Sequence, residues 1–179
     1  MLLVIESVGD LAAAVLFISL LLAACWSDVA SRRVPNALVL LLAVGGIVYS
    51  ISAGGWIDGL ASGLGGLILG LLIWLPSWLV RLLGAGDVKL FAAAGAWLGP
   101  RSTLEAAVWA GLIGGLLSIV YLLRHRGIRG AVFSLSALRL DPKGAIQRER
   151  VDPARKSLPY SVALAGGAVI AAWFPRTIF

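Results

Sequence analysis

The stretch Gly84-Ala85-Gly86-Asp87-Val88-Lys89-Leu90 sets an aspartate and a lysine between two long apolar runs. That places them at or just inside a bilayer surface, where an acidic side chain is costly to hold and marks a functional candidate. A second acid, Asp28, stands at the end of the first apolar run and is followed by Ser31-Arg32-Arg33-Val34-Pro35-Asn36. If the helices fold so that both ends meet on one membrane face, the two carboxylates share one site.

The chain has 179 residues, enough for one domain, and we expect 1–179 to form a single membrane-embedded domain. A hydrophobic fraction of 60% with 13% charged residues excludes an ordinary soluble domain. The mean hydropathy of +0.96 names lipid as the main solvent and the bilayer as a partner. The net charge of +6 sits in loops between apolar runs, so it reports topology and contact with anionic lipid, and no nucleic-acid partner is expected. One cysteine, Cys25, and one histidine, His125, give no internal disulfide and no set of metal ligands. Neither a metal nor another cofactor is expected. Leu22-Ala23-Ala24-Cys25 has the look of a lipoprotein cleavage box, but Glu6 and Asp10 make the preceding segment acidic where a secretory signal is basic. We expect a retained first helix.

A spanning helix needs ~20 mostly apolar residues to cover ~30 Å at ~1.5 Å each. Leu11–Trp26 is the first candidate, extended somewhat at both ends; Ala37–Ile51 is the second, with Pro35 suited to a first helical turn. Ser52–Asp58 reads as a turn. Gly59–Val80 is the third, and Gly59, Gly63, Gly66 and Gly70 give it a small-residue packing face. Leu90–Leu98 covers only ~14 Å, so either its helix starts earlier and takes in Asp87 and Lys89, or the bilayer thins. Gly99-Pro100-Arg101 reads as a turn, and Thr103–Leu123 as a fifth span with Gly111 and Gly115 at packing spacing. A basic loop, 124–157, follows, in which Ile128, Val132, Leu135 and Leu138 recur at helical spacing and suit a short interfacial helix. Leu158–Phe174 is the last span, opened by Pro159. No internal repeat is evident.

The expected fold is therefore an all-α integral membrane bundle of about six transmembrane helices. Thirteen of the fifteen Lys and Arg residues then share one side, against Arg101 and Arg176 on the other. The excess marks the cytoplasm, which puts both termini outside and the Asp28 and Asp87 ends inside the cell.

Two carboxylates held together cannot both ionise easily, so they share a proton. The ionised one draws a proton from water as that water attacks an amide carbon, and the protonated one donates to the carbonyl oxygen. The pair titrates as a unit, so neither role attaches to one residue. Gly84 and Gly86 leave backbone uncovered beside Asp87, which lets an extended peptide approach and pair. Lys89 either orients an aspartate or snorkels to the interface. Arg32 and Arg33 read as topology markers. Taken singly, Asp28 also reads as an ordinary end-of-helix residue and Asp87 as a cap of the helix after it. Together on one face they read as a catalytic pair.

These residues carry a family resemblance. Gly84-x-Gly86-Asp87-x-Lys89 resembles the GxGDxK signature of type IV prepilin and preflagellin peptidases. Asp28 with Pro35-Asn36 resembles their first motif, and Leu158-Pro159-Tyr160 resembles the start of their last helix. Ser161 stands where many relatives have glycine. The resemblance implies a GxGD-type membrane aspartic endopeptidase with Asp28 and Asp87 as its catalytic pair. Gly84, Gly86, Lys89, Pro35, Asn36, Pro159 and Tyr160 would support the site. It implies a prepilin or pseudopilin substrate, cut at the cytoplasmic face of the bacterial inner membrane. The chain lacks the paired Cys-x-x-Cys segment of larger members, so it resembles the short, peptidase-only kind found with tight-adherence (Flp) pili. Two other readings stay open: an intramembrane aspartic protease with another substrate, and a non-enzymatic small transporter or membrane scaffold.

Overall fold

Each apolar run becomes a helix because lipid offers no partner for a free N–H or C=O, so the backbone must satisfy itself within the segment. The computed structural model describes residues 8–31, 34–80, 83–140 and 160–173, and among them there is no strand. Five helices follow in order: α1 (Val8–Ser31), α2 (Asn36–Gly54), α3 (Trp56–Leu79), α4 (Ala85–Leu140) and α5 (Tyr160–Trp173). Stretches of α1 to α4 are long and apolar enough to cross a membrane, and Ser161–Trp173 is a shorter apolar helix. The protein is an all-α, multi-pass membrane helical bundle. It packs as two units, one of Met1–Ile113 with Pro159–Phe179 and one of Gly114–Leu158.

The helices outrun the apolar stretches that announced them. Hydropathy marks where lipid is, whereas a helix continues into the headgroup layer as long as its residues tolerate it. Thus α1 runs on past Trp26 to Ser31, whose hydroxyl donates back to the Ser27 carbonyl at 2.7 Å. The expected turn over Ser52–Asp58 shrinks to one residue, Gly55, whose φ of 81° separates α2 from α3. Pro35 stands one position before α2 rather than in its first turn. Its carbonyl accepts the amides of Leu38 and Val39, as a residue at the cap position does. The basic segment is helical as far as Leu140, which includes the helix expected around Ile128 to Leu138 and extends it back through residue 124; its remainder lies outside the described residues.

α4 cannot be one straight rod. Gly99 has φ of 75°, which an α-helix does not hold and which glycine adopts without steric cost. Pro100 follows and has no N–H to give. The Thr103 hydroxyl lies 2.6 Å from the Gly99 carbonyl and 3.4 Å from that of Gly95. In a straight helix residues eight apart are ~12 Å apart along the axis, so the chain folds back at Gly99-Pro100. This is the turn expected there.

The first arm of α4 is the innermost element: every residue from Leu90 to Gly99 is buried. Gly66 of α3 and Gly95 of α4 meet backbone to backbone; a Cβ on Gly66 would collide with the Gly95 carbonyl. Gly59, Gly63, Gly66 and Gly70 are the buried face of α3, as their spacing predicted. Trp97 ties in the other helices. Its ring packs 5.4 Å from Phe17 of α1 and 5.6 Å from Tyr49 of α2, and its N–H donates to the Leu42 carbonyl at 2.6 Å. The Ser50 hydroxyl donates to the Ala96 carbonyl at 2.9 Å. α5 seats Gly167 against Ala106 and Ala110, beyond the turn.

Gly111 and Gly115 share the spacing but not the role, since a Cβ on either would meet nothing within 4 Å. Gly66→Ala should therefore lower the unfolding temperature in detergent by roughly 5 °C or more, from an overpacking cost of about 1–3 kcal/mol. Gly111→Ala should leave it unchanged. Thermal unfolding followed by circular dichroism compares the two directly.

Candidate active site

The two aspartates sit at two helix ends. Asp28 lies on the last turn of α1 and Asp87 on the first turn of α4. Asp87 reaches back to accept the Gly84 backbone N–H, and the Val88 amide closes that first turn on the Gly84 carbonyl at 3.3 Å. An acid three residues into a helix that takes up the amide preceding it is one half of a capping box. Asp87 is thus a cap as well as a site candidate. Both carboxylates are half-buried, each lies within the other's electrostatic field, and both act on the Cys25 thiol. Asp28 thus lies near enough to act on Asp87, 59 positions away in the sequence.

The remaining motif residues surround them unevenly. Gly84 is exposed, and a Cβ there would lie 3.3 Å from Asp87 Oδ2. Gly86 faces Val34, at 3.6 Å from where its Cβ would be, so the segment leading to Pro35 rests against the residue before Asp87. Pro35 fixes the start of α2 with φ of −60° and ψ of 131°, and Asn36 is the exposed first residue of that helix. Lys89 is exposed and, among the described residues, pairs with neither carboxylate. That is the placement of a snorkelling lysine. Arg32, Arg33 and Pro159 lie outside the described residues; Tyr160 opens α5.

Two contributors escaped the motif reading. Ser161, noted only as a departure from glycine, is fully buried, and its hydroxyl donates to Asp28 Oδ2 at 2.6 Å. Cys25, one turn before Asp28, donates its thiol to the Ser161 carbonyl at 3.6 Å. The signal for both was local. Positions 25 and 28 share a helix face, and a hydroxyl in an apolar helix must find a partner. Beside them, Leu22, Ala23, Cys25, Trp26 and Val29 line an open apolar cleft of ≈ 500 Å³.

Two acids at helix ends near the membrane boundary, beside apolar surface of α1, mark this as a membrane protein with a candidate acid pair. Residues 15–119, which hold both aspartates, match the model of the Type IV leader peptidase family, and the chain belongs to that family. It is 32% identical over 125 residues to the prepilin leader peptidase/N-methyltransferase of Aeromonas hydrophila, covering 63% of this chain and 41% of that one. It is 36% identical over 103 residues to the protein of the same name from Klebsiella pneumoniae, covering 51% and 44%. The one from Pectobacterium carotovorum subsp. carotovorum is 31% identical over 123 residues, covering 65% and 42%. The chain thus spans less than half the length of these relatives. No solved structure matches it.

Proposed function

We propose that the chain is a membrane aspartic endopeptidase that removes the leader from prepilin-like substrates at the cytoplasmic face of the inner membrane. The observation that supports this reading is the electrostatic action of Asp28 on Asp87, each at a helix end, in a chain of the leader peptidase family. The relatives are named for leader cleavage and for N-methylation; the acid pair bears on cleavage. The bundle crosses the bilayer six times, with α4 supplying a crossing on either side of Gly99 and both termini outside. The excess of Lys and Arg on the side of Asp28 and Asp87 supports that orientation.

In the reaction, one carboxylate is ionised and the other holds the shared proton. Water between them loses a proton to the ionised group as its oxygen attacks the scissile carbonyl carbon. The protonated group donates to the carbonyl oxygen as negative charge develops there. Collapse breaks the C–N bond, the proton passes to the leaving amine, and no covalent intermediate forms. Gly84 is exposed next to Asp87 and leaves room for an extended segment of substrate. The apolar cleft on α1 takes a hydrophobic stretch of the substrate beside the cut. Val34 against Gly86 holds the segment before Pro35 and Asn36 to the second motif.

Asp28→Asn and Asp87→Asn should each cut the rate of leader cleavage by about a thousand-fold or more, with membrane insertion and protein level unchanged. Mass spectrometry of a purified prepilin-type substrate, incubated with each variant in detergent, reads this out. Full cleavage by either variant would refute the assignment. Gly84→Ala presses a methyl toward Asp87 Oδ2 and should slow cleavage several-fold; Gly111→Ala, facing open space, should not.

A further inference from the structure

We propose that Ser161 is a positioning residue that holds the Asp28 carboxyl in one orientation through its changes of protonation. The inference rests on the peptidase reading for its kinetic consequence, but its geometry stands independently.

A 2.6 Å O–H···O contact is in the range of a strong, charge-assisted hydrogen bond. It engages Oδ2 of Asp28. Ser161 has little freedom to drift. It is fully buried, it lies one residue into α5, and its own carbonyl is held by the Cys25 thiol. One residue of α5 is therefore clasped at two points by successive turns of α1, at positions 25 and 28. Seven residues above the start of α5, Gly167 lies tight against Ala106 and Ala110, which fixes how deep that helix sits.

The chemistry of the partner matters as much as its place. A hydroxyl can donate or accept, whereas a backbone N–H only donates. Asp28 can keep its bond to Ser161 when ionised, by accepting, and when protonated, by donating. Asp87 has the Gly84 amide, which can donate to it but cannot accept its proton. A carboxyl that must take up a proton and release it each turnover benefits from a partner that reverses with it. The arrangement thus gives Asp28 a constant geometry across the cycle. Among the described residues, the titratable groups that reach Asp28 are Asp87 from α4 and Cys25 from its own helix.

The test compares Ser161→Ala, Ser161→Thr and the unaltered protein in detergent. Ser161→Ala should lower kcat roughly ten-fold with KM within about two-fold, because orientation and not substrate binding is lost. Ser161→Thr keeps the hydroxyl and should restore most of the rate. A change in KM alone, or an unaltered kcat, overturns the proposal. Infrared spectra of protein labelled with carbon-13 aspartate supply a readout free of activity. The carboxylate band that Asp28→Asn removes should shift in Ser161→Ala and return in Ser161→Thr. If the protein cleaves no prepilin-type substrate, the peptidase reading fails and these spectra alone decide the contact, an unshifted band refuting it. Should Ser161→Ala not survive extraction, Ser161→Cys, slightly larger and a weaker donor, should show the same shift.

Discussion

Close contact of backbones around the first arm of α4 is the constraint on which the rest of the structure depends. Lipid tails are as apolar as leucine, so burying apolar surface between helices gains little, and association comes from close packing and interhelical hydrogen bonds. Leu90–Gly99 takes part in both. Gly66 and Gly95 let α3 and α4 touch at the main chain. The bonds from Trp97 to Leu42 and from Ser50 to Ala96 fix the rotation of that arm against α2. Asp87 lies ten residues before Trp97 on the same helix, ~15 Å along its axis. A helix pinned so firmly at its middle carries its first turn to a defined place. The carboxylate inherits its position from packing in which it takes no part.

A position at helix ends resolves a conflict between cost and use. A charge deep in the bundle would be several kcal/mol unfavourable and would turn neutral, while one in free water would not be oriented. Half-burial at the end of α1 and the start of α4 lies between these. Water can reach the pair, yet each carboxylate has a fixed hydrogen-bond partner: Ser161 for Asp28 and the Gly84 amide for Asp87. The like charges also act on each other, which disfavours the doubly ionised state that could not donate to a substrate carbonyl.

Much of this was legible in the sequence because it depends on local pattern. The apolar runs located the helices, Gly99-Pro100 located the reversal, and the glycine row on α3 located its buried face. Where the sequence misled, the missing information was the identity of a neighbour. Gly111 has the same i, i+4 relation to Gly115 as Gly66 has to Gly70, yet it faces open space. Small residues permit close approach but do not supply a partner. Helix ends were blurred for a different reason: hydropathy records lipid contact, and Ser27–Ser31 is helical without being apolar. The bond between Ser161 and Asp28 joins positions 133 apart and depends on how α5 is rotated, which no spacing within α5 encodes.

That bond also separates two levels of specification in the site. The family match covers residues 15–119 and so includes both acids, the glycines between α3 and α4, and the reversal at Gly99. Ser161 lies beyond it, on the helix that Gly167 seats against Ala106 and Ala110. The family match reaches both carboxylates. It does not account for the group that sets the orientation of one of them. A carboxyl on the last turn of a helix can rotate about its side-chain bonds, and only a contact from outside that helix restrains it at little entropic cost. The second arm of α4 therefore acts on the site from a distance: by fixing the depth of α5, it fixes the hydroxyl, and by the hydroxyl it fixes Asp28.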